Sequence, residues 1–216
     1  RVLSITYIDN GGDTMSNYVK ISTIGARPYP LSLDIELDEA VEKMIWHWKA
    51  ELQQVLPDKP DLILVPEACD RPPNYPMDKR LAYYRARGDK ILDFFVQVAK
   101  DNNCYIAYSA AREVDDGTWR NSTRIIDRSG AVVGTYNKNH LVISETTQGG
   151  ILCGKDAPII ECDFGRVACA ICFDLNFDEL RLKYVDAKPD LLLFSSMYHG
   201  GLMQNYWAYS CRAHFV

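Results

Sequence analysis

The stretch Arg166-Val-Ala-Cys-Ala-Ile-Cys-Phe-Asp-Leu-Asn-Phe-Asp-Glu-Leu180 decides how this chain reads. Val167 to Ile171 is short, apolar and partly β-branched, which predicts a strand. Polar residues follow at once, and Phe177, Leu180 and Tyr184 recur at helical spacing, so the segment predicts strand, sharp turn and helix. Cys172 stands at that turn. A nucleophile elbow has the same local logic: a side chain exposed at a strand end, with the next backbone amide, here that of Phe173, aimed at an approaching oxygen.

Working outward, Pro158 to Cys162 and Arg166 to Ile171 read as a hairpin turned at Asp163-Phe-Gly165, and Asp190 to Ser195 supplies a final apolar strand. Leu62-Ile-Leu-Val-Pro-Glu67 is a continuous apolar strand, the pattern of one covered on both faces, and it ends in a carboxylate. Cys104 to Ala110 is another strand, and Trp119 to Tyr136 reads as two more joined by the turn Asp127-Arg-Ser-Gly130. Lys138 follows directly, and Asn139 to Lys155 reads as a long loop holding His140 and Glu145. At the start, Val2 to Ile8 predicts a strand stopped by Asp9-Asn-Gly-Gly12, with a loop until Asp38, whose side chain caps a helix through Val41, Met44, Ile45, Trp48 and Leu52. Arg80 to Lys100 predicts one helix, or two broken at Gly88. Strands interleaved with helices make this an α/β chain.

At 216 residues the chain suits one α/β domain spanning 1–216, and 47% hydrophobic with 25% charged residues is ordinary globular composition. A net charge of −5 and a pI near 5.4, with no basic stripe, argue against a nucleic-acid partner. Seven cysteines, an odd number at irregular spacings, fit a reduced protein better than a disulfide framework. No basic-then-apolar leader opens the sequence, and the longest uncharged stretch, Leu191 to Cys211, is broken by Ser, His, Gly-Gly, Gln and Asn and reads as a strand plus a loop. The expected compartment is the cytoplasm, with no membrane partner.

Glu67, Lys138 and Cys172 thus put an acid, a cation and a thiol at comparable loop positions. Four local words accompany them in order: Leu-Val-Pro-Glu67, Asn121-Ser-Thr-Arg-Ile-Ile-Asp-Arg-Ser-Gly130, Tyr136-Asn-Lys-Asn-His-Leu141 and Ala-Ile-Cys-Phe-Asp174. Together they resemble the nitrilase, or carbon-nitrogen hydrolase, superfamily. The resemblance implies an α-β-β-α sandwich whose members pair into homodimers and higher homo-oligomers. It implies that Glu67 is the general base, Lys138 the oxyanion stabiliser, Cys172 the nucleophile and Glu145 a further acid of the site, with His140 bracing the lysine loop. Two words depart from the family pattern. Asn176-Phe-Asp-Glu179 stands where Arg-Phe-Pro-Glu is common, and Cys211-Arg-Ala-His-Phe-Val216 lacks the Glu and Asn of Arg-Ala-x-Glu-Asn. Family members continue through further strands, so the sandwich reads as short at the C-terminus.

The chemistry suits these residue types. An amide carbon is a poor electrophile, so its hydrolysis needs a strong nucleophile, a proton for the departing amine and a donor for the oxyanion. Lys138 is expected to favour the thiolate of Cys172 and, with the Phe173 amide, to hold the oxyanion. Phe173, Tyr75, Met197, Tyr198 and His199 are expected to line the substrate pocket. The reading is a hydrolase of small amides, N-carbamoyl compounds or nitriles, working through a thioester with no cofactor or metal. Alternatives are an inactive sandwich serving as a binding module, and acyl transfer to a soluble acceptor. A cysteine–histidine dyad with His140 or His199 is a rival for the base. Cys169-Ala-Ile-Cys172 spells C-x-x-C, but residues three apart on a strand face opposite ways, which disfavours a redox or zinc pair.

Overall fold

The computed structural model of the chain describes Val2–Ile8 and residues 16–216. Its elements run β1 (Val2–Ile8), β2 (Ser16–Thr23), α1 (Leu37–Leu52), β3 (Leu62–Leu64), α2 (Met77–Arg87), α3 (Lys90–Asn102), β4 (Tyr105–Glu113), β5 (Trp119–Ile126) and β6 (Val132–Asn137). They continue with α4 (Ile143–Thr147), β7 (Ile160–Cys162), β8 (Gly165–Ile171), α5 (Asp178–Ala187), β9 (Leu191–Ser195), α6 (Leu202–Cys211) and β10 (His214–Phe215). Two sheets form, one ordered β1-β2-β3-β4-β5-β6 and the other β10-β9-β8-β7.

Period-two alternation explains why the sheets stack. Leu62 and Leu64 of β3, with Tyr105 and Ala107 of β4, share one core with Val167 to Ile171 of β8 and Leu191 to Phe194 of β9. Their neighbours Ile63, Ile106 and Tyr108 point the other way, into a second core closed by Trp48 of α1, Tyr83 of α2 and Phe95 of α3. On the far side of the second sheet, Leu180 and Tyr184 of α5 meet Trp207 and Cys211 of α6. The layers are helix, sheet, sheet, helix, as expected.

Several boundaries depart from the sequence reading. The segment read as a loop before Asp38 contains β2, which pairs antiparallel with β1 and parallel with β3. Its Val19 and Ile21 are buried while Tyr18 is exposed, a one-sided alternation polar enough to pass for a loop. The turn expected at Asp9-Asn-Gly-Gly12 lies outside the described residues. Asp38 caps nothing: it sits inside the first turn of α1, where its charge suits the helix dipole, and pairs with Lys90 at 2.7 Å. Gly88, at φ +48°, separates α2 from α3. The loop expected after β9 holds α6, because Trp207 and Cys211 bury one face while Gln204, Asn205 and Ser210 gave the stretch its polar look. His214 is exposed on β10.

Cys104, Cys169 and Cys211 are buried apolar residues, Cys162 is half-buried, and all seven thiols are free. Among the described residues, no helix is long and apolar enough to cross a membrane.

Candidate active site

The elbow forms where β8 leaves the sheet. Cys172 takes φ +48°, a left-handed conformation that costs a side-chain-bearing residue about 1–2 kcal/mol. Asp174, fully buried, holds it there: its Oδ2 accepts from the Ile171 amide at 3.0 Å and from the Tyr136 hydroxyl at 2.6 Å. Trp207 of α6 adds a bond from its indole N–H to the Leu175 carbonyl at 3.1 Å.

Glu67 does not end a strand, as its sequence context suggests. Pairing in β3 stops at Leu64, and Glu67 lies on a turn whose next residue, Ala68, has φ +46°. That turn is clamped from two sides. The Cys69 amide donates to Ser109 at 3.0 Å, and the Trp48 indole donates to the Cys69 carbonyl at 3.0 Å. Asp70 is buried against Arg87 at 2.8 Å and accepts from the Tyr108 hydroxyl at 2.5 Å.

Lys138 leaves β6 with its side chain 1% exposed. Its Nζ donates to Glu67 Oε1 at 2.7 Å and to Glu145 Oε2 at 2.8 Å. Glu145, in α4, accepts a further bond on Oε2 from the Val142 amide at 2.9 Å. The loop is fixed at its exit by Gly154, whose amide donates to the Lys138 carbonyl at 2.7 Å and whose missing side chain lets it pass against the Asn137 backbone.

Asn121 of β5 completes the cluster, and the sequence reading assigned it no role. Its Nδ2 donates to Glu67 Oε1 and to Glu145 Oε1, each at 2.8 Å. Lysine and asparagine therefore tie the two carboxylates together twice over. The one available signal was its place at the head of the Asn-Ser-Thr-Arg word.

Lys138 favours the thiolate, as expected, but burial and the Glu67 charge outweigh it and push the Cys172 thiol up to about 11. Burial is the largest of these effects, and the Lys138 ammonium is itself shared between Glu67 at 2.7 Å and Glu145 at 2.8 Å. The thiol is protonated at neutral pH. Lys138 itself stays charged, since Glu67 and Glu145 more than offset the cost of its burial. Both ring nitrogens of His140, one of the two candidate bases of a cysteine–histidine dyad, are taken by carboxylates, Asp174 and Glu179.

His140 instead joins the lysine loop to the elbow. Its Nδ1 lies 3.0 Å from Asp174 Oδ1, its Nε2 lies 2.9 Å from Glu179 Oε1, and its ring stacks on Phe177 at 3.8 Å. The Asp174 bond raises its pKa against the effect of partial burial. A raised histidine pKa adds stability that is fully present below the unfolded value of about 6.5 and is lost as pH climbs through the folded value. The stability gap between the wild type and His140→Gln is therefore expected to be widest near pH 6 and to narrow above neutrality, read from urea midpoints. A gap that is flat with pH would contradict this.

Glu67, Asn121, Lys138, Glu145, Cys172 and Met197 line a single cavity of about 260 Å³. Tyr198 and His199 line a neighbouring cavity of about 610 Å³ that shares Glu67 and Met197 with it. The Phe173 ring packs on Phe177 and lines neither. Tyr75 does not line the pocket, contrary to expectation. It is 2% exposed, packed edge-on against Tyr83, with its hydroxyl donating to the Ser32 carbonyl at 3.3 Å. Its Pro-rich neighbours made it look like a loop residue.

Comparison with known proteins gives the family of the chain. The family model for carbon-nitrogen hydrolases matches residues 20–216. The chain is similar to human deaminated glutathione amidase, 24% identical over 169 residues, which cover 72% of this chain and 51% of that protein. It spans about half the length of the curated relatives it matches. Among solved structures it resembles Saccharomyces cerevisiae Nit3, a member of branch 10 of the nitrilase superfamily, with a TM-score of 0.68 and 16% identity, covering 91% of this chain and 73% of that one. It also resembles a carbon-nitrogen hydrolase from Helicobacter pylori G27, with a TM-score of 0.63 and 19% identity, covering 80% of this chain and 63% of that one.

Proposed function

The chain belongs to the carbon-nitrogen hydrolase family, and from that premise we propose that it hydrolyses a non-peptide carbon-nitrogen bond, in a small amide, N-carbamoyl compound or nitrile, through a thioester on Cys172. The observation that carries this reading is Glu67. It shares Lys138 at 2.7 Å, uses Oε1 for both of its fixed contacts, and faces a thiol that is still protonated. Such an acid is placed to act as a base rather than as a structural anchor.

For an amide, Glu67 takes the thiol proton as Sγ attacks the carbonyl carbon, so that full thiolate never accumulates. The tetrahedral oxyanion meets the Lys138 ammonium and the Phe173 amide. Glu67 passes its proton to the nitrogen, the carbon-nitrogen bond breaks, and the amine leaves. Water then gives a proton to Glu67 and attacks the thioester, and the sulfur departs and recovers that proton. Glu145 and Asn121 hold Glu67 and Lys138 in register. A single domain over 1–216, a cytoplasmic location and assembly into homo-oligomers belong to the same proposal. The seven free thiols support the second, and Leu202, Tyr206 and Tyr209, exposed on α6, the third.

The test pairs two readouts on one variant. Iodoacetamide labelling of Cys172, located by peptide mass spectrometry because Cys153 is exposed and competes, is expected to rise from about pH 7 to about pH 10 without a plateau. In Glu67→Gln the labelling midpoint is expected to fall, because a charge that raises it is gone. Turnover across a panel of short amides, carbamoyl compounds and nitriles is expected to drop by about 10²- to 10⁴-fold. A thiol that labels more readily near neutral pH in an enzyme that turns over less marks a general base. If Glu67→Gln moves neither, the assignment fails.

A further inference from the structure

Alternation along β5 sends Asn121 to the catalytic cavity and its neighbours Arg120 and Ser122 to the other face of the sheet. That face carries three half-buried arginines. Arg112 of β4 stands directly opposite Arg120 of β5, and Arg124 follows two residues beyond Ser122 on the same strand. Arg112 reaches across β5 towards β6, its Nε donating to the Ser122 hydroxyl at 3.2 Å and its Nη2 to Asn137 Oδ1 at 3.4 Å. Its guanidinium therefore lies over Ser122, between the two arginines that flank that serine. Like charges directly opposite on paired strands are destabilising, and here three stand in a row.

The nearby acids do not neutralise the row. Among the described residues no carboxylate bonds to Arg112 or to Arg120, whose Nη1 donates to the Thr118 hydroxyl at 2.7 Å and to the Trp119 carbonyl at 2.9 Å. Asp116, the acid beside Arg120, is committed to the Thr118 amide and hydroxyl. Arg124 reaches Asp89 only at 3.4 Å and lies over the Tyr108 ring. Burial and the charges of Arg124 and Arg120 hold the Arg112 pKa down, and Asp115 and Asp89 do not make up the difference. Arg128, in the turn between β5 and β6, shows the ordinary alternative, with Asp163 at 2.7 Å and Asp61 at 2.9 Å. Arg112 Nη1 and Arg120 Nε and Nη2 have no partner among the described residues and are not sealed from solvent.

We propose that this face of β4 and β5 is a binding site for a small phosphate-bearing molecule, held by Arg112 and Arg120, with Arg124 completing the positive row. The choice of phosphate follows from the donors. A planar carboxylate offers two oxygens and suits one guanidinium fork, whereas a phosphate offers a tetrahedron of oxygens that takes forks from two strands at once. Thr135, opposite Arg124 on β6, brings a hydroxyl to the same face. The chain's net charge of −5 disfavours a long polyanion, which would extend beyond the row of cations. The site lies across the sheet from Asn121, so it is separate from the cavity of Cys172 and stands whether or not the hydrolase reading does.

Two measurements on the whole chain test this. The first is the urea midpoint in low-salt buffer free of phosphate. Arg112→Gln keeps an N–H donor on the side chain and removes the middle charge, so its midpoint is expected to equal or exceed that of the wild type. Added glycerol 3-phosphate is expected to raise the wild-type midpoint and to leave that of Arg112→Gln nearly still. A clear loss of stability in Arg112→Gln without phosphate would mean that the arginine is kept for its bonds within the sheet, and would overturn the proposal.

The second is calorimetric titration with glycerol 3-phosphate, inorganic phosphate and succinate. The wild type is expected to bind glycerol 3-phosphate about tenfold or more tighter than succinate, and less tightly as salt is raised. Arg112→Gln and Arg120→Gln are each expected to weaken that binding by about tenfold or more, the value of a hydrogen bond to a charged group, while Lys49→Gln, on the exposed side of α1, leaves it unchanged. Succinate binding as well as the phosphates overturns the assignment, and so does equal affinity in the wild type and both arginine variants. Protection of Cys172 from iodoacetamide by glycerol 3-phosphate would place the anion in the catalytic cavity and overturn the separate site. Retention of the chain on phosphatidic acid vesicles, with no binding of the soluble phosphates, would replace the small ligand by a membrane surface.

Discussion

Replacing Cys172 by glycine is expected to abolish turnover and to leave the fold at least as stable as it is with alanine there. The first half follows from the proposed chemistry. Without the sulfur no thioester forms, and removing a nucleophile that acts as a unit with its base costs at least about ten-thousand-fold. Ammonia release from the best amide of the panel measures it, and residual activity within about tenfold of the wild type would exclude a covalent role.

The second half follows from the backbone. In ordinary strand or helix positions glycine is less stable than alanine by about 0.5–1 kcal/mol. Cys172 has φ +48°, where any side chain is strained and glycine is not. The order is therefore expected to reverse, with Cys172→Gly melting at or above Cys172→Ala. Melting in the ordinary order would mean that the elbow relaxes once the sulfur is gone. The reversal would show that the left-handed turn is maintained against a local cost, by Asp174 and by the packing of Trp207.

Much of this site is legible in the sequence, and the unread parts share a cause. An apolar run that ends abruptly in a polar turn marks Cys172, and the run Leu-Ile-Leu-Val-Pro marks Glu67, because strand burial is a local property of the chain. Lys138 carries no such local mark and is readable only through the word around it. Asn121 and Asp174 are quoted in those words without a role, since what they do is set by partners far away in sequence: Asn121 by Glu67 and Glu145, Asp174 by Tyr136 and His140. Tyr75 errs in the other direction, as turn chemistry places the backbone at the surface but not the ring. The sign of the Cys172 shift was likewise out of reach. It is set first by the burial of the thiol and then by the Glu67 charge, both of which depend on parts of the chain far from the cysteine in sequence.

Lys138→Met brings the two acids that the lysine pairs with into the open. The variant keeps the length and apolar stem of the side chain but leaves Glu67 and Glu145 buried together with Asn121 as their shared donor. Removing one partner of a buried ion pair costs about 3–5 kcal/mol, because the charge left behind has lost its compensation. Losing an oxyanion donor costs about 10²- to 10³-fold in kcat. A fall in activity alone would thus be ambiguous between a damaged fold and a missing donor. Adding Glu67→Gln resolves it: one of the two stranded charges disappears, so the double variant is expected to recover part of the urea midpoint lost in Lys138→Met. It is expected to recover none of the turnover, since it lacks both the donor and the base. If stability and turnover recover together, Lys138 acts only by holding the site in shape; if neither recovers, Lys138 and Glu67 do not form the coupled pair that their 2.7 Å contact implies.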